Sequence, residues 1–427
     1  MKVTFYVNAM ALIEGKSSKI LCDPWLTFDE CSSSGFYNFP RTRTTRKELV
    51  SIAPDYIYIS HTHPDHLDPV TLENFAKDTP ILVAPFAMNF TERTLRGLGF
   101  SDVRIVPMGE GLSLNGDDWV WIEPSAVVPD EDSIALFRID GNHIINVNDN
   151  SFSEEQCLSL KKKSGGIDVG LIPSALHGPW PMFFQNYSEK EKLELATERK
   201  QKLKEIFRSY VDALEPNYVI PFGGGIVAGG EHAKCYKYSG ASPRTEVVKY
   251  AMDNCANKFT PVLLSESCSY DFNTGVKSGK YIESTYETEK AYMQRLSQIP
   301  SKYSRGGDFY IAPSERKDLT FLLSKARETQ KRWQDRKKIV SDSVWFFDVG
   351  EDNLYRLSLA NTDVTRVPES EIEDEKYELF RMPYEVLLGM LIRHNHWTNV
   401  NTQHCWFNRK GDQMDTDVYE LINYFQI

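Results

Sequence analysis

The sequence contains no run of 18 consecutive apolar residues, which excludes a conventional transmembrane helix. Its N-terminus lacks the long apolar core and the small-residue cleavage site of a secretory signal peptide. Cysteine is scarce, with seven residues and no C-x-x-C pair, and such a scattered, odd set is typical of a reducing compartment. We therefore expect a cytoplasmic protein without a membrane partner.

Positive charge is also in deficit, since 49 Lys and Arg face 60 Asp and Glu, giving a formal net charge of -11. This balance argues against a protein that binds the nucleic-acid backbone. It does not exclude an anionic small-molecule substrate, because a bound metal ion supplies positive charge of its own. We expect a small-molecule substrate and no nucleic-acid partner.

Histidine is rare, yet three of the nine lie within six residues, as His61, His63 and His66 with Asp65 among them. The apolar and aromatic stretch 55–59 precedes them and predicts a buried strand. Imidazole and carboxylate groups at a strand end are typical metal ligands. The alternative, a polar loop with histidines placed by chance, does not explain this clustering. The spacing lets His61 and His63 share one metal ion while Asp65 and His66 face a second.

Short strand patterns alternate with helical patterns through the first 275 residues, which predicts a layered α/β domain. A capping box of Ser188 and Glu191 begins a long helix that ends near Pro216. Residues 276–340 have a charged, helical pattern. We expect a catalytic domain over 1–275, a helical connection over 276–340 and a small α+β module over 341–427.

Three later residues are candidates to complete the site. Asp149 follows an apolar strand and is the candidate bridge between two metal ions, although an ordinary turn Asp would fit the same pattern. His232 follows the glycine-rich stretch 223–230 and is the candidate late ligand; a histidine in a surface loop is the alternative. His177 is a candidate ligand, general acid or substrate contact.

Four cations are candidates to contact an anionic substrate, although such a residue is more often a solvated helix or loop charge. They are Arg199, Lys200, Lys234 and Lys237.

Taken together, these residues resemble the metallo-β-lactamase superfamily. The resemblance implies an αββα sandwich, here with a smaller α+β C-terminal module. It also implies His61 and His63 in one metal site, a second site made of Asp65, His66 and His232, and Asp149 between the two. The turn at Asp23 is similar to one that lies near the site in this family.

One feature departs from that pattern, because the loop 125–132 has no histidine where the superfamily usually supplies a third ligand to the first site. Either this site is incomplete, or a carboxylate of Asp130, Glu131 or Asp132 replaces the missing ring. An oxygen ligand would favour iron or manganese over zinc. We expect one or two divalent metal ions.

Several segments are also similar to the metallo-β-lactamase-type domain of CMP-N-acetylneuraminate hydroxylases: 22–26, 58–67, 197–203, 221–224 and 417–427. Those hydroxylases carry an N-terminal Rieske iron–sulfur domain. The present sequence starts with the first strand and has none of the Cys and His pairs that a Rieske centre needs, so we expect that module to be absent.

The leading hypothesis is a hydrolase that uses metal-activated water, with Asp65 or Asp149 orienting the water and His177 assisting proton transfer. The metal and His177 would stabilise negative charge on the reacting group. One alternative is an iron-dependent oxygenase that takes electrons from a separate electron-transfer protein. Another is a metal-binding scaffold without catalytic activity.

Overall fold

The computed structural model describes residues 1–27, 35–86, 89–127, 132–299, 310–372, 376–394, 397, 404–411 and 421–427. The strands are β1 Lys2–Phe5, β2 Ala11–Glu14, β3 Lys19–Cys22, β4 Phe36–Asn38, β5 Tyr56–Tyr58, β6 Ile81–Val83, β7 Val103–Ile105, β8 Gly111–Ser113, β9 Trp119–Pro124, β10 Ser133–Ile139, β11 Asn142–Asn146, β12 Val169–Pro173, β13 Tyr218–Phe222, β14 Ile226–Ala228, β15 Thr260–Pro261, β16 Cys268–Asp271, β17 Val276–Lys277, β18 Val344–Asp348, β19 Leu354–Ser358, β20 Val364–Val367, β21 Tyr377–Arg381 and β22 Trp406–Lys410. The helices are α1 Arg46–Ser51, α2 Pro69–Leu72, α3 Phe90–Gly97, α4 Glu154–Ser164, α5 Glu189–Leu214, α6 Arg244–Asn254, α7 Lys290–Ser297, α8 Thr320–Lys337 and α9 Tyr384–Leu391.

Two sheets stack face to face in the N-terminal part of the protein. One has the order β17-β16-β1-β2-β3-β5-β6-β7, and the other has the order β15-β13-β12-β11-β10-β9-β8. A continuous apolar cluster fills the space between them, with Val3 and Ile13 from the first sheet packed with Phe137 and Leu171 from the second. Burial of this shared face is the main force that holds the sheets together.

Helices cover the outer face of each sheet, which completes four layers. Leu49 of α1 and Leu95 of α3 pack on the first sheet. Leu160 of α4 and Phe207 of α5 pack on the second, together with Val247 of α6. The predicted αββα sandwich is therefore confirmed, and the predicted boundary at residue 275 falls between the paired strands β16 and β17.

The C-terminal part forms its own five-stranded sheet in the order β20-β19-β18-β21-β22. Leu323 and Ala326 of α8 share an apolar cluster with Trp345 of this sheet, whereas Met293 of α7 packs with Tyr236 of the N-terminal part. The predicted helical connection is thus divided between two bodies of structure. Among the helices that the structure describes, none is long and apolar enough to cross a membrane.

The residues that adjoin several strand ends lie together at one edge of the sandwich. Strands β11, β12 and β13 run parallel, so the residues after each of them lie at the same edge. Strand β10 runs antiparallel to β11, which brings the residues before β10 to that edge as well. The histidine motif follows β5 in the facing sheet. The topology therefore brings together residues that are far apart in sequence.

Candidate metal centre

The histidine motif folds as a tight turn directly after β5. The N–H groups of His66 and Leu67 both donate to the carbonyl of His63, at 3.0 and 2.8 Å. The turn brings the three imidazoles together, with ring centres 4.3 Å apart for His61 and His63, which meet edge-on, and 3.9 Å apart for His61 and His66. Both His61 and His66 are fully buried.

Two overlapping groups of potential ligands surround these rings. His61, His63 and Asp132 place ligand atoms within 4.8 Å of one another, and so do His61, His66 and Asp149. The Oδ1 atom of Asp149 lies 3.5 Å from Nε2 of His61 and 3.4 Å from Nε2 of His66. Asp149 therefore stands where a carboxylate could bridge two ions. Asp65 also faces this cluster, with Oδ2 3.3 Å from Nε2 of His66.

Asp132 supplies a carboxylate at the position where a third histidine was expected. It directly precedes β10, and its Oδ1 atom lies 3.8 Å from Nε2 of His61. The other two acidic residues considered for this role, Asp130 and Glu131, lie outside the described residues.

A shared hydrogen-bond network sets the orientation of two imidazoles. Asp23 accepts a hydrogen bond from the Ser60 hydroxyl at 2.7 Å and another from Nδ1 of His66 at 3.0 Å. Since the single Ser60 proton goes to Asp23, its oxygen accepts the Nδ1–H of His61 at 2.8 Å. Both rings therefore turn Nε2 toward the acidic cluster, as ligated histidines do.

The arrangement fits a bound cation. Among the described residues, Nε2 of His61, Nε2 of His66 and Oδ1 of Asp149 are buried and have no hydrogen-bond partner. Buried polar atoms without partners are rare because their desolvation is uncompensated. A metal ion would satisfy these three atoms, which face one another. The hydrogen bonds of Asp23 and Ser60 already hold both rings in the orientation that such binding needs.

Burial and neighbouring charges shift the pKa values of the clustered histidines and aspartates. Burial, with the neighbouring histidine charges, holds the pKa of His61 well below its usual range. Burial also opposes charge on His66, but the carboxylates of Asp149, Asp65 and Asp23 outweigh it and raise its pKa. Burial would raise the pKa of Asp65, yet His66 and His63 lower it to about 2. The Asp65 carboxylate is thus ionised and able to bind a cation.

Sequence reasoning missed two polar residues that support the centre. Asn8, in the turn after β1, donates from Nδ2 to Oδ2 of Asp65 at 2.8 Å and fixes that carboxylate. Ser60 connects Asp23 to His61. Asn8 and Asp23 have φ values of 50° and 42°, a left-handed conformation that Asn and Asp adopt more readily than most residues. Only Ser60 had a local signal, since it lies beside the histidine motif.

His177 lies close to the cluster without joining either ligand group. Its Nε2 donates to the carbonyl of Gly224 at 2.7 Å, which leaves Nδ1 as an acceptor in the neutral ring. Burial and the charge of Arg199 lower its pKa to about 4, opposed by the carboxylates of Asp65 and Asp149. His177 is thus neutral near pH 7 and can accept a hydrogen bond at Nδ1.

His232 is not brought to the cluster, contrary to its assignment as the late ligand. It lies on the 3-10 helix Gly230–Tyr238, and its ring stacks on Trp406 with centres 3.8 Å apart. Its Nε2 is 3.1 Å from the carbonyl of Cys405. The helix directs this side chain into the junction with the C-terminal sheet.

The predicted substrate cations also have other surroundings. The guanidinium of Arg199 donates to the carbonyls of Trp180, Ser239 and Leu176, so it joins the loop after β12 to the end of the 3-10 helix. Lys234 is exposed on that 3-10 helix.

The four layers and the histidine–aspartate cluster at their edge define a metallo-β-lactamase fold with a candidate metal centre. The chain is similar to the cytidine monophosphate-N-acetylneuraminic acid hydroxylase of Asterias rubens, with 27% identity over 233 residues that cover 52% of this chain and 34% of that protein. The match thus spans about a third of that relative's length. No protein-family model matches the chain.

Two solved structures are similar to part of the chain. A possible metal-dependent hydrolase from Veillonella parvula has a TM-score of 0.46 and 16% identity, over 63% of this chain and 98% of that one. The diiron β-hydroxylase CmlA from Streptomyces venezuelae has a TM-score of 0.42 and 18% identity, over 62% of this chain and 53% of that one. The predicted fold and the resemblance to the hydroxylases are confirmed.

Proposed function

We propose that the protein is an iron-dependent hydroxylase that acts on an anionic small molecule and receives electrons from a separate protein. The observation that carries this proposal is Asp132, which adds a carboxylate to His61 and His63 in place of a third imidazole. Carboxylate-rich donor sets favour iron or manganese, whereas imidazole-rich sets also suit zinc. The matched relatives, whose names are those of hydroxylases acting on a nucleotide-linked sugar acid, support the same choice.

Six side chains would hold the metal. His61, His63 and Asp132 would form one site, His66 and Asp65 the other, and Asp149 would bridge them. Iron bound in this way would supply the redox chemistry that activates molecular oxygen.

The protein's own groups would control protons and ligand geometry. Asn8 holds Asp65 in place, and Asp23 holds His66 and, through Ser60, His61. His177 would accept a hydrogen bond at Nδ1, since its Nε2–H is engaged by the Gly224 carbonyl.

Metal content and oxygen dependence test this function. Protein purified without oxygen is expected to contain iron in stoichiometric amount and to consume oxygen with a nucleotide-sugar acid, given a chemical or protein reductant. Zinc without iron, or turnover that ignores oxygen, would contradict the proposal.

Replacement of Asp132 by histidine tests directly whether this carboxylate sets the metal preference. Asp132→His restores a three-imidazole site, and we expect it to raise the ratio of bound zinc to bound iron when both metals compete for the refilled protein. Asp253→Asn changes a carboxylate on the outer surface of α6, paired with Lys249, and serves as the matched control. An unchanged ratio in Asp132→His would remove Asp132 from the metal site.

A hydrolase is the second candidate, favoured by the ionised Asp65 beside the candidate ligands, because such a carboxylate can orient a metal-bound water. Anaerobic cleavage of lactones, amides, thioesters or phosphodiesters by the zinc-loaded protein would support it. A protein active in neither assay would be a metal-binding scaffold.

A further inference from the structure

A large cleft lies beside the metal centre and plays no part in holding the metal. Its volume is about 1110 Å³, which is enough for a nucleotide-sized ligand. The turn Gly223–Gly225 forms part of its wall. The same turn contacts the metal centre, because the N–H of Gly225 donates to Oδ1 of Asn8 at 2.9 Å and the Gly224 carbonyl accepts from His177. The cleft and the metal centre therefore adjoin at this turn.

Arg244 lines this cleft at the first residue of α6. Its guanidinium lies 4.5 Å from the centre of the Phe5 ring, and its hydrogen bond to the Leu264 carbonyl is long, at 3.5 Å. Among the residues that the structure describes, no carboxylate oxygen lies within 4.0 Å of this guanidinium. Most of its five N–H donors are thus left for a ligand or water.

Other buried arginines of the protein are satisfied in a different way. Arg199 donates to three backbone carbonyls. Arg327 donates to the carbonyls of Ser358 and Leu359 and to the side chain of Gln330. Among the described residues, Arg244 has no comparable set of hydrogen-bond acceptors, although burial lowers its pKa and so opposes its positive charge. A partly desolvated cation of this kind is stabilised by a bound anion.

A second polar group in the cleft lacks a partner. The Ser242 hydroxyl is buried, lines the same cleft and has no hydrogen-bond partner among the described residues. It lies two residues before Arg244, so one ligand could contact both.

The acidic residues near Arg244 are already engaged. Glu283 accepts the N–H groups of Arg244 and Thr245, both at 3.1 Å, and the hydroxyl of Thr245 at 2.6 Å. Glu266 accepts the N–H groups of Arg43 and Thr44 at 2.7 Å. Apart from Arg244, the charged side chains that line the cleft balance once these two glutamates are counted: Arg41, Arg43, Lys200, Lys237 and Lys280 against Glu48, Glu266, Glu283, Glu287 and Glu289. Arg244 is therefore the group that would select an anion.

We propose that Arg244 and Ser242 form an oxyanion-binding site in this cleft, which takes a carboxylate or phosphate group of a small molecule. As a substrate site it rests on the proposed function, since it would hold the charged end of the molecule whose other end reaches the metal centre. Anion binding itself does not depend on that function.

Calorimetric titration of the chelator-treated, metal-free protein tests the site. Inorganic phosphate and glucuronate represent the two oxyanion types, and glucose is the uncharged control. We expect at least one anion to bind and glucose not to bind. Arg244→Gln should weaken the anion by about 10- to 100-fold, and Ser242→Ala by about two- to tenfold. Lys237→Gln, which removes a cation of the same cleft that pairs with Glu189, should change affinity less than about twofold.

Three results would overturn the site: no anion binding to the metal-free protein, equal binding by Arg244→Gln and the wild type, or an equal loss in Lys237→Gln. Far-ultraviolet circular dichroism checks that Arg244→Gln is folded, and Ser242→Ala, a change of one atom, gives an independent answer if it is not. Anion binding in a protein without oxygen-dependent turnover would uphold the site and reject the hydroxylase function.

Discussion

His232 packs between aromatic side chains, with its ring edge-on to Phe183 and stacked on Trp406. Burial lowers its pKa to about 4, from 6.5 in an unstructured chain. Between these two pH values the unfolded chain binds a proton that the folded protein does not. The free energy of unfolding therefore increases with pH over this interval. The stability that His232 contributes is lost as pH falls from 6.5 to 4.

His232→Gln is expected to remove this titration while keeping a hydrogen-bond donor for the Cys405 carbonyl. Relative to the wild type, the loss of stability between pH 6.5 and pH 4 should shrink by roughly 3 kcal/mol, as measured by urea denaturation. Metal content should be unchanged. His143→Gln, at a partly exposed ring, should alter the pH dependence far less. Loss of one metal ion in His232→Gln would restore this residue as a ligand.

The contrast between His232 and Asp132 shows what sequence can establish for single residues. His61, His63, Asp65 and His66 could be found because their spacing and the preceding strand are local. Asp132 could only be named as one of three acids, since its place depends on the antiparallel pairing of β10 with β11. His232 was misplaced because its direction is set by a 3-10 helix that packs on a C-terminal sheet remote in sequence.

At the scale of elements, the turn 223–225 is a tightly constrained connection. Gly224 has a φ of 69°, and a Cβ atom there would come within 2.5 Å of the Ala175 Cβ and 2.7 Å of its carbonyl oxygen. The Gly224 carbonyl also holds His177. Only glycine fits this position without moving the turn.

Gly224→Ala should therefore displace His177, and we expect turnover to fall at least about tenfold with about 1–3 kcal/mol of stability lost. Gly97→Ala is the matched control, since that glycine of α3 has an ordinary helical conformation and a methyl group added there would meet no atom within 4 Å. Its stability should be unchanged or slightly higher, by up to about 1 kcal/mol. Steady-state kinetics and thermal denaturation measure both; equal behaviour of the two variants would refute the constraint.

Elements with strong local signals were predicted well. The Ser188–Glu191 capping box begins α5, as expected, and the strands before and after the histidine motif were found from their apolar pattern. The sequence could not show that residues 276–340 divide their contacts between the N-terminal part and the C-terminal sheet. The charged faces of α7 and α8 do not reveal where each helix packs.

Across the whole molecule, the two parts are joined by a short backbone pairing. The Phe407 carbonyl accepts the Gln185 N–H at 2.7 Å, and the Phe407 N–H donates to the Phe183 carbonyl at 3.0 Å. The rings of Phe184 and Phe407 stack with centres 5.2 Å apart in one apolar cluster. Since this cluster contains residues of both parts, we expect them to unfold together.

Phe184→Ala should cost about 3–5 kcal/mol, and the variant should unfold in two transitions. Denaturation followed by circular dichroism and by tryptophan fluorescence would detect the difference. Phe321→Ala, at a ring 69% exposed on α8, should change stability by less than about 0.5 kcal/mol. A single unchanged transition in Phe184→Ala would show that the junction is not a stabilising contact.

The hairpin of β10 and β11 has a consequence for how such a protein can evolve. Asp132 precedes one strand and Asp149 follows the other, so the hairpin length sets their separation. A single base change can alter which atom either position offers to a metal, but an insertion in the hairpin would invert the strand faces and expose buried side chains. Substitutions can therefore change which metal is preferred during evolution, whereas the position of the metal site stays fixed as long as the sheet is kept.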